Sequence, residues 1–392
     1  MAAHDKSRRT VTGVGRTGLG VWLAIAWSVR VGGAPANAQS PATAPSTTPA
    51  TQLAPPVPTS KRPGARLYLD RPAAWYASEE AIKIAAVVLS NQSAEGSWPK
   101  NFDTTAVPGT QPADKIHGTF DNGATTDEMR LLGKIYNATH DEKYRHPVEI
   151  ALDLILKAQY ANGGWPQSYP PGEGYDRYIT FNDGAMQRLM LLVRDAYSSD
   201  TFKFLDDKRK QASKEAFDKG VDCILKCQVR VNGKLTVWCA QHDEKTFEAR
   251  PARKFELVSL SGSESVGLIE ILMSIEHPTP QIIEAVDSAV AWFDAVQIKG
   301  IRTEDIVAPD QPRGRDRIVV QDPTAPPMWA RFYEIGTNRP IFSDRDSVVK
   351  YSLAEIGHER RNGYRWLSYW GQDLLAKDYP QWKAKHPTPP AR

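Results

Sequence analysis

The chain has 392 residues, 41% of them hydrophobic, which is enough to bury one large core or two modest ones and too much for a disordered chain. No stretch reaches the roughly 20 uninterrupted apolar residues of a membrane span, so none is expected. Lys plus Arg number 49 against 46 Asp plus Glu, a formal charge of +3, which is not that of a dedicated nucleic-acid binder.

Residues 1–38 have the three parts of a secretory signal: Lys6, Arg8, Arg9 and Arg16, an apolar run from Leu19 to Val29, and Ala36-Asn37-Ala38 before a cleavage point at Gln39. The protein is therefore expected in the periplasm or outside the cell. Residues 1–38 hold five Lys plus Arg and one Asp, so the exported chain has a net charge of about −1 and the basic bias belongs to the signal. Residues 39–64 carry seven prolines among Ala, Thr and Ser with no acidic residue, and read as an extended linker to a folded domain over 65–392.

Helical periodicity covers Glu79 to Gln92, Thr125 to Ala138, Pro147 to Tyr160, Gly184 to Tyr197, Phe202 to Gln228, Glu264 to Ser274 and Gln281 to Gln297. Four of these patterns end in a small or apolar residue and Gln, at Gln92, Gln159, Gln228 and Gln297, with steps of 67, 69 and 69 residues. The first two continue in parallel, Gly96-Ser97-Trp98-Pro99 matching Gly163-Gly164-Trp165-Pro166. A second element recurs as Thr119-Phe120-Asp121-Asn122-Gly123-Ala124, as Thr180-Phe181-Asn182-Asp183-Gly184-Ala185, and more loosely as Ser261-Gly262-Ser263-Glu264-Ser265. Each opens a helix, and Asp, Asn or Ser there is an N-cap signature. Repeated helix pairs imply a mainly α fold, an incomplete α/α toroid, in which equivalent loops meet on one face and bring Asp121, Asp183 and Glu264 together. Residues 300–360 read as loops and brief strands, and an amphipathic helix from Tyr364 to Trp382 closes the domain.

Carboxylates gathered from separate repeats suit two chemistries, an acid and base pair for glycoside hydrolysis or oxygen ligands for a hard cation such as calcium. Against these stands the simpler role of capping a helix. Arg250, Arg253 and Lys254 supply cations beside a helix start, as do Arg339, Arg345, Arg360 and Arg361 in the tail, and these fit either an anionic ligand or a solvated charged surface. His242 and His358 read as structural hydrogen-bonders, and Cys223, Cys227 and Cys239 as buried free thiols, since their spacing fits neither a zinc site nor a redox pair.

Taken in order, Gly96-Ser-Trp-Pro-Lys-Asn101, Phe120-Asp-Asn-Gly-Ala-Thr-Thr-Asp127, Gly163-Gly-Trp-Pro-Gln167, Trp238-Cys-Ala-Gln-His-Asp243, Leu260-Ser-Gly-Ser-Glu-Ser265 and Glu355-Ile-Gly-His-Glu-Arg-Arg-Asn-Gly363 resemble the pectate lyases of polysaccharide lyase family 10. The matching motifs run from about Trp75 to Trp370. The resemblance implies calcium-dependent anti β-elimination on polygalacturonate, and the exported chain is expected to be a monomer. It places an arginine base at Arg253, calcium ligands at Asp121 and Asp183, and substrate contacts at Asn122, Arg339 and Arg345. An arginine base must spend time neutral, which nearby calcium and cations favour. The family commonly reads Asn-Asp-Asp where this chain has Asn182-Asp183-Gly184, and Asp183 is the residue aligned with the ligand. Two other functions compete with this one: an inverting glycoside hydrolase using Asp121 and Asp183, and a non-catalytic uronate-binding module.

Overall fold

A computed structural model describes residues 64–101 and 103–387. The export signal expected over 1–38, and all but the last residue of the linker expected over 39–64, lie outside the described residues.

The core is built from paired helices. α1 (Glu79–Ser90), α3 (Glu142–Ala158), α5 (Asp207–Cys227) and α7 (Pro280–Ala295) each open on a side-chain cap, in which Ser78, Asp141, Asp206 and Thr279 accept from a first-turn amide. They alternate with α2 (Thr126–Thr139), α4 (Ala185–Ser198) and α6 (Glu264–Met273). The expected helices are thus present, with α3 beginning five residues before the expected Pro147, because Asp141 caps it and the helix carries Pro147 inside.

Two repeated side chains hold the pairs in register. Trp98 Nε1 donates to Val88 O, Trp165 to Ile155 O, Trp238 to Ile224 O and Trp329 to Phe293 O, at 2.7–2.9 Å. Each acceptor lies in the last turn of α1, α3, α5 or α7, where carbonyls have no partner within the helix, and each tryptophan is buried. The repeated glutamines clamp neighbouring units. Gln92 Nε2 donates to Gly96 O and Pro147 O, Gln159 to Gly163 O and Ala216 O, and Gln228 to Thr236 O and Ala285 O, all within 3.0 Å. Each thus ties its own loop to the next outer helix. Gln297 instead donates to Asp294 in its own unit, and the series of clamps stops there. The result is an incomplete α/α toroid.

Short antiparallel pairs stitch the loops on one face. Ile179–Thr180 pairs with Gln241–His242, Leu260–Ser261 with Phe332–Tyr333, and Trp329–Ala330 with Leu367–Ser368. A longer hairpin joins Ile301–Val307 to Arg315–Gln321. The last element departs from the expected Tyr364–Trp382 helix. A short α8 (His358–Gly363) ends before it, Leu367–Ser368 is extended, and a π-helical turn Leu374–Asp378 leads into α9 (Tyr379–Lys385). Gly371 explains part of the break, since a Cβ there would stand 2.8 Å from Trp329 and 2.9 Å from Phe293. The three cysteines are buried and free, as their spacing implied.

Candidate active site

The inner helices begin differently from the outer ones. Their N-cap residues, Thr125 before α2, Gly184 before α4 and Ser263 before α6, make no side-chain capping bond. The N-cap signature read from Asp121 and Asp183 is therefore not their use. Each sits in a short 3-10 turn, Asp121–Gly123 or Asn182–Gly184, and the two turns pack together.

The turns are equivalent but offset in chemistry. Asn122 (φ 55°) and Asp183 (φ 51°) both occupy the left-handed second position, while Asp121 and Asn182 share the buried first position. The carboxylate is first in one turn and second in the other. Gly123 follows at φ 82°, where an added Cβ would lie 2.4 Å from Asp127 Oδ2, so the turn closes only on glycine.

Asp121 is 2% exposed. Its Oδ2 accepts from Lys100 Nζ and, at 2.9 Å, from Gln167 Nε2, whereas its Oδ1 is buried with no partner among the described residues. Asp183 Oδ1 accepts from Arg331 Nη2 at 2.7 Å and its Oδ2 from Asn182 Nδ2 at 3.1 Å. The same Arg331 nitrogen donates to Glu264 Oε1 and, at 3.1 Å, to Asn182 Oδ1. Glu264 is held in turn by Ser261, and the amide of Asp183 donates to its Oε1 at 3.4 Å. Arg331 thus joins Asp183 to Glu264, and Asp121, held by Lys100, comes alongside through the packing of its turn against that of Asp183, as expected of the repeated loops. The pairing of Leu260–Ser261 with Phe332–Tyr333 is what delivers Arg331 there.

Burial alone would raise the Asp183 carboxyl, but the charge and hydrogen bond of Arg331, with Arg253 and Lys100 nearby, hold it below its ordinary value. Burial lowers Arg331, yet Glu264, Tyr364 and Asp183 outweigh it and push the guanidinium well above its usual range. Beneath the turns, burial pushes the Arg188 guanidinium down, and Asp127, Asp183 and Asp121 oppose this.

Arg253 lies beside this group: the Tyr364 ring is 4.5 Å from the Arg331 guanidinium and 5.7 Å from that of Arg253. Its Nε donates to Glu256 Oε2 at 2.7 Å and its Nη2 to Glu256 Oε1. That hydrogen bond pushes Arg253 above its ordinary value, opposite to the neutral arginine that its expected role as a base requires. Arg345 reaches the same neighbourhood, 5.6 Å over the Phe255 ring, which Arg253 also faces at 4.9 Å and Arg360 at 4.3 Å. Asn122 is exposed on its turn. Arg339 stacks its guanidinium 3.6 Å over the ring of Tyr351. His242 is buried and its ring nitrogens meet Cys239 N at 3.1 Å and Phe247 O at 2.8 Å, a structural role.

Lys100, Gln167, Arg331, Glu256 and Tyr364 were not singled out from the sequence. Arg331 carried a usable signal, a single charge inside Met328-Trp-Ala-Arg-Phe-Tyr333, where a buried, paired side chain is the physical expectation.

Among the described residues no group of three or more His, Cys, Asp or Glu side chains is arranged around a metal. The donor set present is two carboxylates, and the orphaned, buried Asp121 Oδ1 fits a hard cation, which would satisfy it. The remaining ligands would then be water or a ligand's own oxygens.

The pectic acid lyase family model matches residues 92–375. Among solved structures, a family 10 polysaccharide lyase from Cellvibrio cellulosa is 35% identical over 84% of this chain and 98% of its own, with a TM-score of 0.70. A mutant of a family 10 polysaccharide lyase from the same organism, in complex with trigalacturonic acid, is 35% identical over 82% of this chain and 96% of its own, with a TM-score of 0.69. No curated protein matches the chain.

Proposed function

The chain belongs to the pectic acid lyase family, the family 10 polysaccharide lyases, and is a lyase acting on an acidic polysaccharide; from that membership we propose that it cleaves de-esterified polygalacturonate by calcium-dependent anti β-elimination. The observation that carries this reading is the pair of carboxylates that cap no helix and are held by Lys100 and Arg331, with Arg253 and Arg331 both facing the Tyr364 ring. Such a site takes a uronate together with a metal. The trigalacturonic acid bound by the Cellvibrio lyase supports the same substrate class.

Asp121 and Asp183 would hold calcium, which when bound helps neutralise the uronate carboxylate and so acidifies its C5 proton. Lys100 and Arg331 fix the two carboxylates by hydrogen bonding to them. Arg345, paired with Glu359, and Arg339 contribute positive charge toward a polyanion, and Asn122 offers an exposed amide. Arg253 takes the C5 proton, and the C4 glycosidic oxygen leaves.

The hydrolase alternative is weakened by Asp183. An inverting glycosidase needs one carboxyl that keeps its proton; Arg331 disfavours that role for Asp183 and leaves it to Asp121, whose carboxylate accepts from the Lys100 ammonium. The deciding assay is polygalacturonate with calcium: ultraviolet-absorbing unsaturated products are expected, lost in strong chelator. Saturated reducing ends without absorbance would establish the hydrolase, and binding without turnover a uronate-binding module. Arg253→Ala is expected to lower kcat at least about 1,000-fold with little change in KM, because its contribution lies in the transition state.

A further inference from the structure

Arg253 presents a difficulty of sign. Glu256, 2% exposed, accepts from its Nε at 2.7 Å, from its Nη2, and from its backbone amide at 3.1 Å. A carboxylate held against two edges of a guanidinium favours the charged form and reduces the neutral fraction available to act as a base. Yet the contact is braced from several sides. Tyr364 donates to Glu256 Oε1 at 2.7 Å, the Glu256 amide donates to Arg253 O at 2.7 Å, and the rings of Phe255 and Tyr364 lie 4.9 and 5.7 Å from the guanidinium.

What the contact accomplishes is a choice among nitrogens. Neutral arginine exists as tautomers with the lone pair on Nε, Nη1 or Nη2, and only one that faces the substrate can take its proton. A lone pair on Nε or Nη2 would face a Glu256 oxygen and be repelled. Nη1 has no hydrogen-bond partner among the described residues and is the nitrogen left to exchange a proton.

We propose that Glu256 is a positioning residue that fixes the tautomer of Arg253, keeping protons on Nε and Nη2 so that Nη1 alone takes the substrate proton. It also stabilises the guanidinium that forms as the proton arrives, as an aspartate does for a catalytic imidazole. This rests on the reading of Arg253 as the base. In the step, the C5–H bond breaks and an Nη1–H bond forms. The C–H electron pair becomes the C4–C5 double bond, and the C4–O pair leaves with the glycosidic oxygen, which takes a proton from water. Nη1 returns its proton to solvent before the next turnover. The charged and titratable neighbours are Asp183 acting on Arg253, then Arg331, Glu264 and Asp183 on Tyr364, and Arg345 and Arg360 on Phe255.

The test is Glu256→Gln in the full chain, with kcat and KM measured on polygalacturonate with calcium across pH. Glutamine has the same size but its oxygen can satisfy only one of the two edges. Removing the charge makes Arg253 easier to deprotonate, so charge alone would raise turnover wherever the arginine is mostly protonated. Loss of tautomer control acts in the opposite direction. The expected result is a kcat lower by on the order of 100-fold at every pH, KM within about threefold, and a rising limb of the pH profile displaced to lower pH. A kcat at or above that of the unmodified protein overturns the proposal. Tyr364→Phe keeps the ion pair and should lower kcat by about tenfold with the rising limb unmoved, and an unchanged kcat there also overturns it. Arg253→Ala separates the two layers. If that variant still turns over, the base assignment fails, whereas an inactive Arg253→Ala beside a fully active Glu256→Gln defeats the role of Glu256 alone.

Discussion

Asp183 is held by Arg331 and the Asn182 amide, with one carboxylate oxygen given to each. Replacing it with alanine removes a negative charge from a place where cations gather and leaves Arg331 its bond to Glu264. Asp183→Ala is therefore expected to fold and to raise the calcium concentration for half-maximal activity by about tenfold or more, consistent with loss of one carboxylate ligand. A calcium titration that does not move would remove Asp183 from the ligand set. His242 allows a separate test of stability. Burial pushes its imidazole down to about 4, while Phe247 O and Cys239 N hold the ring in place. The unfolded chain, with an ordinary value near 6.5, binds more protons between those limits. Stability is then full above about 6.5 and falls as the pH drops toward about 4, by on the order of 1 kcal/mol per pH unit from this residue. Urea unfolding of the chain and of His242→Gln at several pH values checks it, the variant having the flatter dependence.

The glutamine clamps act at the level of the element. Gln159 Nε2 satisfies two carbonyls that belong to different units, Gly163 O and Ala216 O, and so ties the loop after α3 to α5. Gln159→Leu keeps much of the volume and removes both bonds, taking a donor from Gly163 O and the tie to α5 at Ala216 O, which keeps its place in the helix ladder. A loss of about 1–3 kcal/mol is expected in chemical denaturation. Gln297 occupies the corresponding sequence position but bonds only Asp294 within its own unit, so Gln297→Leu should stay within about 0.5 kcal/mol of the unmodified protein. Equal losses from the two changes would mean that the clamp contributes nothing beyond the side chain itself.

For the molecule as a whole, the sequence disclosed more of the scaffold than of its contacts. Periodicity located the helices because their apolar faces recur at helical spacing, and the Gln and Gly-x-Trp-Pro repeats exposed the internal pairing. The equivalence of Trp238 and Trp329 to Trp98 and Trp165 was hidden, since only the indole bonds to the preceding helix reveal it. At the site, Asp121, Asp183 and Glu264 were legible because they sit at repeated positions. The partners of Arg331 were not, because 148 residues separate it from Asp183 and only the pairing of two short strands brings it there. The same reason hid Tyr364, 108 residues from Glu256. The end of the domain was misjudged where Gly371 and the extended Leu367–Ser368 interrupt an otherwise amphipathic pattern.

The offset between the two 3-10 turns has a consequence for the carboxylates they carry. Two identical turns would place both carboxylates at the same position and in the same surroundings. With the carboxylate buried at the first position of one turn and set at the left-handed second position of the other, the two halves are no longer interchangeable. A single exchange of Asp and Asn between neighbouring positions is enough to give two repeated turns different partners: one carboxylate is buried against Lys100 and Gln167, the other is offered to Arg331.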